Sequence, residues 1–154
     1  MKQYWQVRII QLQSVFGLLI SFYLYLFHEG VLIVGCTGSG WDDCGSVSGP
    51  FSPYSAIGPI PIAAIGFVGY LAIFMVIWLM DWDLVGQYLP ELIIALTGLA
   101  FLFSLGLTGL ELFVIHAFCR YCVISAINVT IMFVLAILYL RNPDSEEGAS
   151  ELDY

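Results

Sequence analysis

The chain has 154 residues, of which 60% are hydrophobic and only 10% are charged. Soluble domains carry charge on about a quarter of their residues, so this composition excludes an ordinary soluble domain and indicates a single-domain, polytopic membrane protein. The net charge of −8 argues against a nucleic-acid partner. Five of the twelve acidic residues lie in the last eleven positions, so we expect 142–154 to be a disordered, solvated tail.

Four apolar runs follow one another along the chain, and each is long enough to cross the hydrocarbon core as a helix. We therefore predict an all-α integral membrane protein, with one four-helix bundle over residues 1–141. The segment 36–55 is rich in Gly, Ser and Asp and is expected to be an aqueous loop, followed by a short re-entrant or half helix. The predicted spans are approximately 9–27, 60–80, 92–115 and 120–140.

The four cysteines form two pairs in the sequence. Cys119 and Cys122 make a Cys-x-x-Cys motif between the third and fourth runs, whereas Cys36 and Cys44 lie in the loop. If Cys119 opens a helix, the helix dipole favours its thiolate, which is the nucleophile of disulfide exchange. Four cysteines also permit two structural disulfides or a zinc site, but the spacing does not match a zinc ribbon, and we expect no metal.

The distribution of basic residues predicts the orientation. With four spans, Lys2, Arg8 and Arg141 share one side of the membrane and Arg120 lies on the other. Because positive residues favour the cytoplasm, both termini and the acidic tail are expected there, in a multi-pass protein of the cell membrane. Both cysteine pairs then lie on the extracytoplasmic, oxidising face, where disulfides persist.

Two stretches resemble the vitamin K epoxide reductase family. The segment 109–126, which reads GLELFVIHAFCRYCVISA, is similar to the family's fourth-helix signature, and Ser52-Pro53-Tyr54 with the prolines and glycines of 57–70 resembles its first loop and second helix. The resemblance implies a four-helix bundle of the bacterial or archaeal type. It also implies a quinone electron acceptor (menaquinone, ubiquinone or phylloquinone) drawn from the membrane pool, and electron delivery by a secreted thioredoxin-like protein.

The resemblance assigns a role to each cysteine. Cys36 would meet the partner, Cys44 would exchange with Cys119, and Cys122 would face the quinone. Ser52 matches the family's loop serine, which hydrogen-bonds near the quinone ring, although the spacing from Cys44 is about two residues longer than usual.

Other departures refine the expected activity. The animal enzymes hold the vitamin with an Asn and a Tyr, whose places Ile62 and Ala126 occupy in this chain. Plain quinone reduction is therefore favoured over epoxide reduction. Many bacterial members also carry a fused thioredoxin-like domain, and because this chain stops at Tyr154, we expect its partner to be a separate protein.

Further candidates come from residue chemistry. Glu111, inside the third run, is a candidate for proton handling because ionisable groups within membrane spans are commonly functional. His116 is a second candidate. Phe51, Tyr54 and Phe118 are candidates for lining the quinone pocket. The alternative function is a non-catalytic four-helix membrane subunit held by structural disulfides.

Overall fold

The computed structural model describes residues 4–32, 44–79 and 83–141. Four long helices pack in a ring, in which α1 contacts α3 and α5, and α4 also contacts α3 and α5. A short helix, α2, and a two-stranded hairpin lie between α1 and α3. The elements are α1 (Tyr4–His28), α2 (Cys44–Ser48), β1 (Ala56–Ile57), β2 (Ile60–Pro61), α3 (Ile62–Trp78), α4 (Asp83–Leu110), a π-helical turn (Glu111–Ile115) and α5 (Arg120–Arg141).

The exposed surface of the bundle is apolar. Leu19, Val68, Leu99 and Leu102 each leave more than 60% of their surface exposed, with Phe113 at 80%. Three helices are long and apolar enough to cross a membrane, namely Trp5–His28, Tyr88–Ile115 and Arg120–Arg141. The prediction of an all-helical membrane protein is thereby confirmed at this level. The remaining long helix, Ile62–Trp78, is apolar but has only 17 residues, so four membrane spans stay a prediction.

The second long helix begins later than the sequence pattern predicts. Residues Ile60 and Pro61, expected to start the second span, instead form β2, which pairs antiparallel with β1. Gly58 supplies the positive φ of 62° that the two-residue turn requires. The Ile62 N–H donates to the Ser55 carbonyl at 2.9 Å and extends the ladder. This hairpin was not predicted.

The third long helix begins earlier than predicted. The predicted span starts at residue 92, but α4 starts at Asp83 and contains Pro90 within its length. An interior proline costs about 3 kcal/mol. Leu89 and Ile93, four positions apart on one face, are 5% and 1% exposed and pack into the core. Burial of two such side chains contributes about 1.5–3 kcal/mol each, which offsets the proline.

The main core is built by all four long helices. α1 contributes Val7 and Ile10, and α5 contributes Met132, which is fully buried. A hydrogen bond links α5 to α1, in which the Asn128 side-chain amide donates to the Gln13 backbone carbonyl at 3.1 Å. The full core set is Val7, Ile10, Tyr70, Ile73, Ile77, Leu89, Ile93, Val129, Met132 and Ala136.

The close crossing of α1 and α3 leads to a testable prediction about the fold. A Cβ placed on Gly17 would lie against the Tyr70 ring, which is itself held by a 2.8 Å hydrogen bond between its hydroxyl and Ser125 Oγ. We expect Gly17→Ala to lower the free energy of unfolding by about 1–3 kcal/mol. Gly109→Ala is the matched control, because a Cβ there meets nothing within 4 Å. Thermal unfolding in detergent checks the pair, and equal midpoints would contradict the packing of α1 on α3.

Candidate functional site

The described cysteines converge at one end of the bundle. Cys119 immediately precedes α5, and its carbonyl accepts the Val123 N–H at 3.0 Å, so it occupies the helix N-cap as predicted. Cys44 begins α2, and both cysteines are fully buried. Cys44 is disulfide-bonded, whereas Cys119 and Cys122 are free thiols. Cys36 lies outside the described residues.

Apolar side chains from three elements enclose these sulfurs. Ile20 and Leu24 come from α1, Val47 from α2, and Ala117 from the segment before α5; together with Cys44 and Cys119 they form one buried cluster. The short helix α2 therefore brings the loop cysteine into the same water-poor environment as the Cys-x-x-Cys motif.

Ser48 connects the two thiols and was missed by the sequence analysis. Its Oγ lies 3.9 Å from Cys119 Sγ and 3.6 Å from Cys122 Sγ. Ser48 follows Cys44 by four positions, which places both on one face of α2. That spacing is the signal in the sequence that could have identified this serine.

The pKa of the Cys119 thiol is lowered from its ordinary value. A hydrogen bond from the Cys122 side chain is the largest cause, and the Ser48 hydroxyl adds to it. Burial and the charge of Glu111 act in the opposite direction. Donors that stabilise the thiolate thus outweigh desolvation, which favours the thiolate form of Cys119.

Glu111 reaches the thiols because the helix changes its pitch there. The π-helical turn over Glu111–Ile115 follows α4 directly, and Glu111 is only 4% exposed. Its carboxyl hydrogen-bonds to the Cys122 side chain and to the backbone of Cys119. π-helical turns inside α-helices are frequent at functional sites. The carboxyl is therefore positioned to exchange a proton with the dithiol.

An apolar cavity of ≈ 350 Å³ opens beside the dithiol. Its volume lies at the lower end of the range for small-molecule sites. Cys122 and Glu111 border it, and Ile73, Leu96 and Leu99 contribute to its apolar wall. Polar side chains interrupt this wall at Ser21, His28, Ser48, Tyr54, Ser55, Tyr70, Ser104, Thr108, Glu111 and Ser125.

Among the predicted quinone-binding residues, Tyr54 lines this cavity. Ser52 does not; its hydroxyl donates to the Ser46 carbonyl at 2.6 Å and accepts the Tyr54 N–H at 3.3 Å. Phe51 is 97% exposed, and Phe118, which is half-buried, does not belong to the lining. The structure thus brings Tyr54 to the thiols' cavity and leaves the other three outside its wall.

The two residues predicted for proton handling separate in the structure. Glu111 borders the cavity, whereas His116 is exposed and absent from the lining. His116 adopts a left-handed conformation, with φ at 55°, and ends the π-helical turn. Ile62, expected from the resemblance to stand where the animal enzymes have an asparagine, does line the cavity. Within the described residues, no group of three or more His, Cys, Asp or Glu side chains is arranged to hold a metal ion.

An all-helical membrane protein with a buried dithiol at the edge of an apolar cavity belongs to the class of membrane oxidoreductases that use thiol–disulfide chemistry. The profile of the vitamin K epoxide reductase family matches residues 8–137, which is most of the chain. The protein therefore belongs to the vitamin K epoxide reductase family, and the predicted membership is confirmed. A search of curated proteins gives no match.

The hydrogen bonds at Cys119 predict a pH effect. Ser48→Ala removes one donor to the thiolate, so we expect the pKa of Cys119 to rise and its alkylation to begin at higher pH. The measurement is the pH dependence of Cys119 alkylation, followed by mass spectrometry, with Cys36 and Cys44 replaced by alanine. Ser46→Ala, at an exposed serine of the same short helix, is the control. Identical profiles for Ser48→Ala and the parent would contradict the assignment.

Proposed function

We propose that the protein oxidises a secreted thioredoxin-like dithiol protein and passes the electrons to a quinone, thereby supporting disulfide-bond formation. The observation that carries this proposal is the position of the Cys119–Cys122 dithiol, with its lowered Cys119 pKa, at the wall of an apolar cavity that also contains a buried carboxyl. A small planar oxidant suits such a cavity, because ligand sites are mainly apolar with a few placed polar groups.

In the proposed topology, Ile62–Trp78 is the remaining span, and both termini are cytoplasmic in the plasma membrane. At ~1.5 Å per residue its 17 residues fall at the short end of the range for a membrane helix. The basic residues Lys2, Arg8 and Arg141 then lie in the cytoplasm, and the dithiol faces the extracytoplasmic side. This arrangement gives the dithiol access to secreted partners.

The proposed relay has two dithiol–disulfide exchanges, one between the partner and the loop pair and one between the loop pair and the inner pair. A thiolate of the partner attacks Cys36 of the loop disulfide and releases Cys44 as a thiolate; the partner's second thiolate then resolves the mixed disulfide. Cys44 attacks Cys119 of the Cys119–Cys122 disulfide, and Cys36 completes the transfer. The burial of Cys44 and Cys119 in one cluster supports the second exchange. A bonded Cys44 beside two free thiols corresponds to the stage at which the electrons rest on the inner pair.

In the last step, two electrons and two protons leave the Cys119–Cys122 dithiol and reach the quinone. Oxidation of the two thiols to a disulfide releases both, and a quinone accepts them to become a quinol. Glu111, hydrogen-bonded to the Cys122 side chain, is proposed to accept a thiol proton and pass it to the cavity. The apolar side chains of Ile73 and Leu99 suit the quinone ring and the beginning of its isoprenoid tail.

The primary test is reduction of a short-chain quinone by the purified protein with a dithiol as electron donor. We expect turnover with menaquinone or ubiquinone analogues and at least about tenfold less with vitamin K epoxide, since Ile62 offers no polar group to the epoxide. Glu111→Gln should lower the rate at least about tenfold, since an amide cannot carry the proton. Comparable rates on quinone and epoxide would overturn the expected substrate choice.

Cysteine variants test the relay and separate it from the structural-disulfide alternative. In Cys122→Ala, Cys119 can attack Cys44 of the loop disulfide and release Cys36, and a Cys44–Cys119 disulfide should accumulate because no Cys122 thiolate displaces Cys44. In Cys44→Ala, Cys36 should attack the disulfide of the oxidised partner and remain in a mixed disulfide, because no Cys44 thiolate displaces the partner. Non-reducing gels with mass spectrometry of the linked peptides identify both products. Full partner-dependent activity in Cys122→Ala would reject the relay and favour a non-catalytic membrane subunit.

A further inference from the structure

One nitrogen at the cavity residue His28 has no partner. His28 is the last residue of α1, and its half-buried ring belongs to the lining of the cavity that Cys122 borders. The Nδ1 atom is buried and makes no hydrogen bond with the described part of the chain. Buried polar atoms are normally satisfied, so an exception in a native structure calls for an explanation, and a catalytic role is one of those known.

The position of His28 follows from the helix that carries it. Ser21, Leu24 and His28 are spaced three and four positions apart, so they share one face of α1, and all three line the cavity. Leu24 also belongs to the cluster that buries Cys44 and Cys119. The same face therefore covers the thiols and ends in the histidine. Gln13 Oε1, the other buried polar atom without a partner, is not in the cavity lining.

The chemistry of the cavity requires more than one proton-transferring group. A quinone accepts protons at two carbonyl oxygens on opposite sides of its ring, whereas Glu111 lies beside the Cys122 sulfur. His28 reaches the cavity from α1, and Glu111 reaches it from the turn between α4 and α5. Histidine is suited to the second position, since a protonated imidazole ring donates a proton from Nδ1 and is left as a neutral ring once that proton has moved.

We propose that His28 is a further catalytic residue, whose Nδ1–H hydrogen-bonds to one quinone carbonyl oxygen and protonates it as the dithiol is oxidised. The proposal rests on the proposed quinone reduction. Two electrons leave Cys119 and Cys122 as their disulfide forms; one proton reaches the quinone through Glu111 and the other from His28. Water on the extracytoplasmic side then reprotonates His28 and takes up the second thiol proton, so atoms and charge balance.

The first experiment observes His28 directly and needs no turnover. The chain has two histidines, so His116→Gln leaves His28 as the only one. We expect the Nδ1 resonance of ¹⁵N-histidine in this protein, with Cys119 and Cys122 oxidised, to shift on addition of menadione. His116 is exposed and outside the cavity lining, so its replacement removes the second histidine signal without altering the wall of the cavity. An unchanged resonance at saturating menadione would overturn the proposal.

The second experiment separates hydrogen bonding from proton transfer. Glutamine retains an N–H donor without a transferable proton, so His28→Gln should keep the KM for menadione within about threefold while kcat falls at least about tenfold. Leucine retains neither, so His28→Leu should also raise the KM about tenfold. Exchange from a small dithiol to the Cys119–Cys122 disulfide should stay within about twofold in both variants. Wild-type kcat and KM in both would overturn the role of His28.

The outcomes distinguish this proposal from the function on which it rests. If the wild-type protein with dithiol reduces no quinone, the proposed function fails and His28 loses its role with it. If the wild type reduces quinone but neither the resonance nor the kinetic constants depend on His28, only the role of His28 fails. Where a His28 variant does not fold, as judged by thermal unfolding, the resonance of His28 in the His116→Gln protein decides.

Discussion

The exclusion of water from the cysteines is the constraint on which the site depends. Cys44 and Cys119 come from distant parts of the chain, yet both are fully buried among Ile20, Leu24 and their neighbours. In such a place a thiolate has no water to stabilise it, so the few protein donors decide its reactivity. Three donors, the Cys122 thiol, the Cys122 backbone N–H and the Ser48 hydroxyl, supply that stabilisation for Cys119. The packing of α2 against α1 thus brings Cys44 close to Cys119. It also provides one of these donors, Ser48.

The carboxyl of Glu111 places a second acidic group beside the thiols. Its charge opposes ionisation of Cys119, while its hydrogen bonds join it to Cys122 and to the Cys119 backbone. Neighbouring anions in a low-dielectric site are costly, so the charges of Glu111 and Cys119 oppose each other. When the dithiol is oxidised to a disulfide, the negative charge of the Cys119 thiolate disappears. Under the proposed function, this electrostatic coupling would favour proton movement through Glu111 as the disulfide forms.

Sequence patterns predicted the features that depend on hydrophobic runs and local spacing. Cys119 at a helix start and Glu111 near the thiols follow from the order of runs and motif. Features that depend on packing were missed. The early start of α4 requires knowing that Leu89 is buried, and the π-helical turn leaves no periodic signal. The loop serine was the hardest case, because Ser48 and Ser52 differ only in how α2 and the following turn fold: Ser48 lies beside the sulfurs, while Ser52 bonds to Ser46.

The late start of α3 and the small residues of its first turns shape the cavity beside the dithiol. Pro61 precedes the helix, and the hairpin consumes residues that would otherwise extend it, so α3 starts at Ile62. On the face toward the cavity its first turns carry small residues, including Gly66 and Gly69. A Cβ at Gly66 would meet Ser21 Oγ at 3.2 Å, whereas one at Gly69 would meet nothing within 4 Å. Small residues thus serve two purposes on one face: Gly66 lets α1 approach, and Gly69 leaves open volume. Because apolar voids destabilise in proportion to their size, the cost of a cavity beside the dithiol agrees with the ligand-binding role proposed for it.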